Sequence, residues 1–72
     1  MAREVAIRGD TIRLGQLLKL AGVVGAGGEI KALLAEADVR VNGEPEARRG
    51  RQLHPGDTVT VAGEELVLVL AQ

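Results

Sequence analysis

The chain has 72 residues, of which 46% are hydrophobic and 26% charged, with nine Lys and Arg against ten Asp and Glu and a formal net charge of -1. That length suits one compact domain near the lower limit for a self-supporting core, and the absence of cysteine excludes disulfide staples and thiolate metal ligands. The lack of Phe, Tyr and Trp removes the aromatic platforms that many single-strand binders use, and without Ser or Cys a nucleophilic triad has no parts.

From the N-terminus, Arg3, Glu4, Arg8 and Asp10 interrupt any signal-peptide core, and no apolar run reaches membrane-spanning length. The expected location is therefore the cytoplasm, with no membrane association. Val5 to Ile7, closed by the Gly9-Asp10 turn signal, predicts a short edge strand. In "RLGQLLKLAG", Leu14, Leu17, Leu18 and Ala21 follow helical spacing, with Gln16 and Lys19 on the other side and Gly22 placed for a left-handed helix end. "VVGAGG" predicts a tight turn. "GEIKALLAEA" then repeats the pattern, with Ile30, Leu33, Leu34 and Ala37 on one face and Lys31 and Glu36 off it. Two such helices joined by a short turn predict a helical hairpin.

At Asp38 the period changes to two. Val39 and Val41 flank Arg40, and Asn42-Gly43 is a strong hairpin signal because both residues tolerate positive φ. A return segment follows through Glu44 and Pro45, a residue confined to sheet edges, then "EARRGRQL" and the Pro55-Gly56-Asp57 turn. "TVTVAG" and "ELVLVL" predict two further strands around Gly63-Glu64, the second apolar enough to be covered on both faces. The predicted fold is α+β, a two-helix hairpin packed on a small, mostly antiparallel sheet.

Arg48, Arg49 and Arg51 concentrate three cations in four positions, and Gly50 allows a bend that splays them over one rim. Guanidinium groups suit phosphate through paired, permanently charged donors. A solvated edge balanced by Glu44 and Glu46 is the competing structural explanation. Charge segregation favours the phosphate-facing rim. All nine cations fall in residues 1–51, whereas residues 52–72 hold only the acids Asp57, Glu64 and Glu65. Gly25 to Gly28 lack the spacing of a nucleotide-binding loop, and Glu29 beside them would repel an anion, so a plain turn is expected there. His54 has no second histidine or cysteine for a metal, and the adjacent Glu64 and Glu65 point to opposite strand faces. No metal, cofactor or small-molecule substrate is expected, and no enzymatic activity.

Two helices followed by Val39-Arg40-Val41-Asn42-Gly43, with "RLGQLLK" upstream and "LHPGDTVTV" downstream, resemble the RNA-binding domain named after ribosomal small-subunit protein four. The resemblance covers about residues 12–63. It is most specific to short bacterial single-domain members, through Ala26-Gly27-Gly28-Glu29-Ile30-Lys31 and Asn42-Gly43-Glu44-Pro45-Glu46-Ala47-Arg48-Arg49-Gly50-Arg51-Gln52-Leu53. It implies one domain built on the two-helix and hairpin αL motif, docking on structured RNA such as ribosomal or transfer RNA, by backbone and shape, as a monomer. Carried over by position, it implies RNA contacts from Arg13, Lys19, Lys31, Arg40, Arg48, Arg49 and Arg51.

The chain departs from the wider family at Gly15, where Asp is common, at Gly27-Gly28, where Ser-Arg is common, and at Ala37, where a glycine usually closes the second helix. Two polar contacts of the family are therefore not expected. It also ends soon after the domain, without a fused catalytic unit, which implies a binding module. A β-grasp-like protein-interaction module is the alternative, although a sulfur carrier would need a terminal Gly-Gly where this chain has Leu70-Ala71-Gln72.

Overall fold

A computed structural model describes residues 2–23, 30–36 and 38–71, including their side chains except those of Lys31 and Glu36. The chain runs β1 (Ala2–Ile7), β2 (Ile12–Arg13), α1 (Leu14–Leu20), α2 (Ile30–Glu36), β3 (Arg40–Val41), β4 (Glu44–Pro45), β5 (Gln52–Leu53), β6 (Thr58–Val61) and β7 (Glu64–Leu70). Five strands form a sheet in the order β1-β7-β6-β3-β4, while β2 and β5 pair separately. Among the described residues only the β1–β7 pair is parallel, with Val5 opposite Leu68 and Ile7 opposite Leu70.

The N-terminal strand is longer than the apolar pattern predicts, because pairing with β7 extends it back through Arg3 and Glu4. It is an edge strand, as expected. Backbone pairing does not require apolar side chains, and Arg3 gains partners, Glu64 Oε1 at 3.5 Å and the carbonyl of Ala21.

Side-chain alternation and the two helical stripes converge on one core. Val5, Ile7, Val41, Val59, Val61, Leu66 and Leu68 from the sheet meet Leu14, Leu17, Leu18, Ile30 and Leu34 from the helices. Burial of these branched side chains is the main source of stability in so small a domain. Helix α1 ends as its sequence predicts. Gly22 adopts φ 75 and its N–H bonds Lys19 O at 3.1 Å, while the Val23 N–H bonds Leu18 O at 3.0 Å.

The two helices touch at their N-terminal halves, where a Cβ on Gly15 would stand 3.4 Å from Ile30 Cδ1. The predicted turn of the helical hairpin, including Gly25 to Gly28, and Ala37 lie outside the described residues.

Strand β7 departs from the expectation of burial on both faces. Leu66 and Leu68 are fully buried, but Val67 and Val69 are only half-buried and Leu70 is exposed. The helices cover one face of the sheet, so only every second residue of the apolar run reaches the core. The turn before β7 is Ala62-Gly63 rather than Gly63-Glu64, with φ of 52 and 78, and Glu64 already pairs with Val61.

Candidate nucleic-acid interface

The arginine segment is a loop rather than a stretch of strand, and the helix that follows β2 holds it. The first turn of an α-helix has N–H groups without intrahelical acceptors. Here Leu14 N–H donates to Arg51 O and Gly15 N–H to Arg49 O, both at 2.9 Å. Arg13 N–H is taken by Gln16 Oε1 at 3.2 Å. The β2–β5 pair, with Arg13 opposite Gln52, continues this attachment. Arg49 and Arg51 are thereby positioned through their backbones.

Gly15 packs directly against this attachment. A Cβ there would stand 3.4 Å from Arg49 O and 3.5 Å from Arg49 Cβ.

Glu46 then divides the arginines into two kinds. Its Oε2 accepts from the Arg48 N–H at 3.1 Å and from Arg48 Nε at 3.0 Å, and its Oε1 accepts from Arg48 Nη2 at 3.2 Å and Arg51 Nη1 at 2.7 Å. The hydrogen bonds from Arg48 and Arg51 hold the Glu46 carboxyl down at about 2, against an ordinary 4.5, and the same bonds push the Arg48 guanidinium up. Arg49 has no acidic partner among the described residues. It lines an open hollow with Arg13 and Lys19, floored by Gly15, Gln16 and Gly50. Three cations without an acidic partner among the described residues, one each from β2, α1 and the arginine loop, therefore share one concave surface.

The other sequence-predicted residues fall elsewhere. Arg40 alternates with the buried Val39 and Val41, so its side chain lies on the sheet face turned away from the helices, held by Asp38 at 3.2 Å. The structure therefore does not gather Arg40 with Arg13, Lys19 and Arg49. Lys31 belongs to α2, whose Leu34 and Ala35 stand beside Ala47 and Arg49, but its side chain lies outside those described.

The hairpin and turn motifs have a structural role. Asn42 and Gly43 adopt φ of 52 and 84, and Asn42 Oδ1 accepts from Thr58 N–H at 2.9 Å while its Nδ2 donates to Asp57 Oδ1 at 3.2 Å. Asp57 Oδ2 accepts from His54 N–H at 2.8 Å, closing the Pro55-Gly56 turn. Burial alone would raise the Asp57 carboxyl, yet the hydrogen bonds from His54 and Asn42 hold it below its ordinary value. "VNG" and "HPGD" are thus two halves of one hydrogen-bonded corner.

Sequence reasoning named Glu46 as a balancing charge and missed its specific hold on Arg48 and Arg51. The signal was its position, two residues before one arginine and five before the other. Among the described residues no cluster of His, Asp or Glu has the makings of a metal site, and no described helix is long and apolar enough to cross a membrane.

The family model of the S4 domain matches residues 5–69. The chain belongs to the S4 domain family. The match reaches beyond the motif-bearing residues 12–63 to include the second half of β1 and most of β7. The chain is 49% identical to a Bacillus subtilis protein named "Probable ribosome maturation protein RlbA", over 88% of this chain and 89% of the relative. It is 36% identical to an Escherichia coli protein named "Putative RNA-binding protein YbcJ", over 81% of this chain and 83% of that one. The chain is thus similar to each of these relatives over more than four fifths of both lengths.

Proposed function

We propose that this S4 domain protein is a binding module, not an enzyme, that docks on folded RNA through the hollow between α1 and the arginine loop. The observation that carries the reading is the convergence of Arg13, Lys19 and Arg49, without acidic partners among the described residues, on a surface fixed by backbone hydrogen bonds. Arg48 and Arg51 form the outer rim, reached when phosphate displaces Glu46. Lys31 and Arg40 are peripheral contacts. With no aromatic side chain, recognition rests on phosphate and shape.

The name of the Bacillus relative favours ribosomal RNA over transfer RNA as the target. The working form is taken to be a single-domain cytoplasmic monomer, with the helices paired as a hairpin in the family's manner.

If about three cations meet phosphates, log affinity should fall with log salt at a slope of roughly -2 to -3. A folded Arg13→Ala/Lys19→Ala/Arg49→Ala variant should lose most of its affinity for ribosomal RNA fragments and flatten that slope, whereas Arg40→Ala should change little. Full affinity in the folded triple variant would remove the assignment.

A further inference from the structure

Arg49 stands at the border of two hollows of different chemistry. On the α1 side it meets Arg13 and Lys19. On the α2 side it closes an open hollow of about 470 Å³ whose other described walls are Leu34, Ala35 and Ala47. That volume falls within the ~300–1,000 Å³ of small-ligand clefts. Beyond Ala47 a neighbouring depression is lined by Asp38 and Glu46, both of them paired with arginines.

We propose that the Leu34, Ala35, Ala47 and Arg49 hollow receives one unpaired nucleobase of the RNA whose phosphate lies in the adjoining cationic hollow. The inference rests on the RNA-binding reading and adds to it a requirement for a bulged or looped nucleotide.

The charge sequence across the surface sets the direction. Phosphate is attracted to Arg13 and Lys19, so the neutral part of the nucleotide extends towards α2. Apolar walls favour a base that has left its stack. The one planar group at the border is the Arg49 guanidinium, which offers a stacking face where aromatic rings are absent. Its freedom from an acidic partner among the described residues leaves that face available. Leu34 is buried by the fold and supplies a fixed floor, while Ala35 and Ala47 are exposed and small enough to leave the space open.

The test compares an RNA hairpin carrying a single bulged 2-aminopurine with the same hairpin fully paired. Stacking one base is expected to favour the bulged RNA about tenfold and to raise 2-aminopurine emission as the base leaves the duplex. Arg49→Lys keeps the charge and loses the planar group, so it should abolish the preference for the bulged hairpin over the paired one. Ala47→Glu should abolish it by filling the hollow with a charge. Equal affinity for the two hairpins, with a normal salt slope and unchanged emission, would overturn the base site and leave the RNA-binding reading intact. Binding of neither hairpin would overturn both.

Discussion

Glutamine at position 46 would remove one charge from the point where two guanidinium groups meet. The Glu46 side chain is only 8% accessible and accepts four hydrogen bonds, the shortest from Arg51 Nη1 at 2.7 Å. Arg48 reaches far into solvent, so screening removes most of its contribution, and the half-buried Arg51 pair carries the effect. Ion pairs in such settings contribute up to about 1 kcal/mol, and Glu46→Gln should destabilise the domain by about that amount at neutral pH. For a domain of this size the loss corresponds to a fall in Tm of about 4–8 °C.

The carboxyl lies at about 2 in the folded protein against 4.5 ordinarily. A depressed folded value means that the stabilisation is complete above 4.5 and is lost as pH falls from 4.5 towards about 2. Urea unfolding followed by circular dichroism should therefore show the gap between wild type and variant closing across that window. A gap that is absent at neutral pH, or that persists undiminished through the window, would refute the ionic role of Glu46. The same variant releases Arg48 and Arg51, so its RNA salt slope should steepen by roughly 1 to 2 units. An unchanged slope would place those two arginines away from the RNA.

Two backbone positions give further tests. Gly15→Ala should be close to neutral, because a helix-propensity gain of about 1 kcal/mol meets contacts at 3.4 Å. Gly15→Leu carries atoms beyond Cβ into the Arg49 backbone, and should cost about 1–3 kcal/mol by overpacking and weaken RNA binding. Wild-type stability and affinity in Gly15→Leu would show that the loop is not seated against α1. Ala62 holds φ 52 in the β6–β7 turn, which costs an L-residue about 1–2 kcal/mol, partly offset in glycine by about 0.5–1 kcal/mol of chain entropy. Ala62→Gly should raise Tm by a few degrees in a thermal scan, and a lowered Tm would contradict that turn geometry.

Helix α1 was legible because Leu14, Leu17, Leu18 and Ala21 repeat at helical spacing and Gly22 stops them. The Asn42-Gly43 hairpin was equally legible because few residues tolerate its dihedral angles. The misreadings share one cause. Strand β7 has an apolar run, but burial depends on which face a second layer covers, and that layer comes from distant helices. Strand β1 looked three residues long because Arg3 and Glu4 break the pattern, yet a parallel neighbour supplies backbone partners regardless of side chain. At the candidate site, the clustering of Arg48, Arg49 and Arg51 was plain, while their separation into two held by Glu46 and one without an acidic partner was not.

What the amino-acid order determined alone is local. It set the helix and turn positions through dihedral preference and periodicity, the excess of cations before residue 52, and the exclusion of aromatic stacking and thiolate chemistry. The tertiary structure decided which charges share a surface. Arg13, Lys19 and Arg49 meet because the first-turn amides of α1 take up the carbonyls of a loop more than thirty residues later, and Arg40 is turned aside by the alternation of its strand. Spacing along a chain carries no information about such encounters, since hydrogen bonding between distant segments sets them.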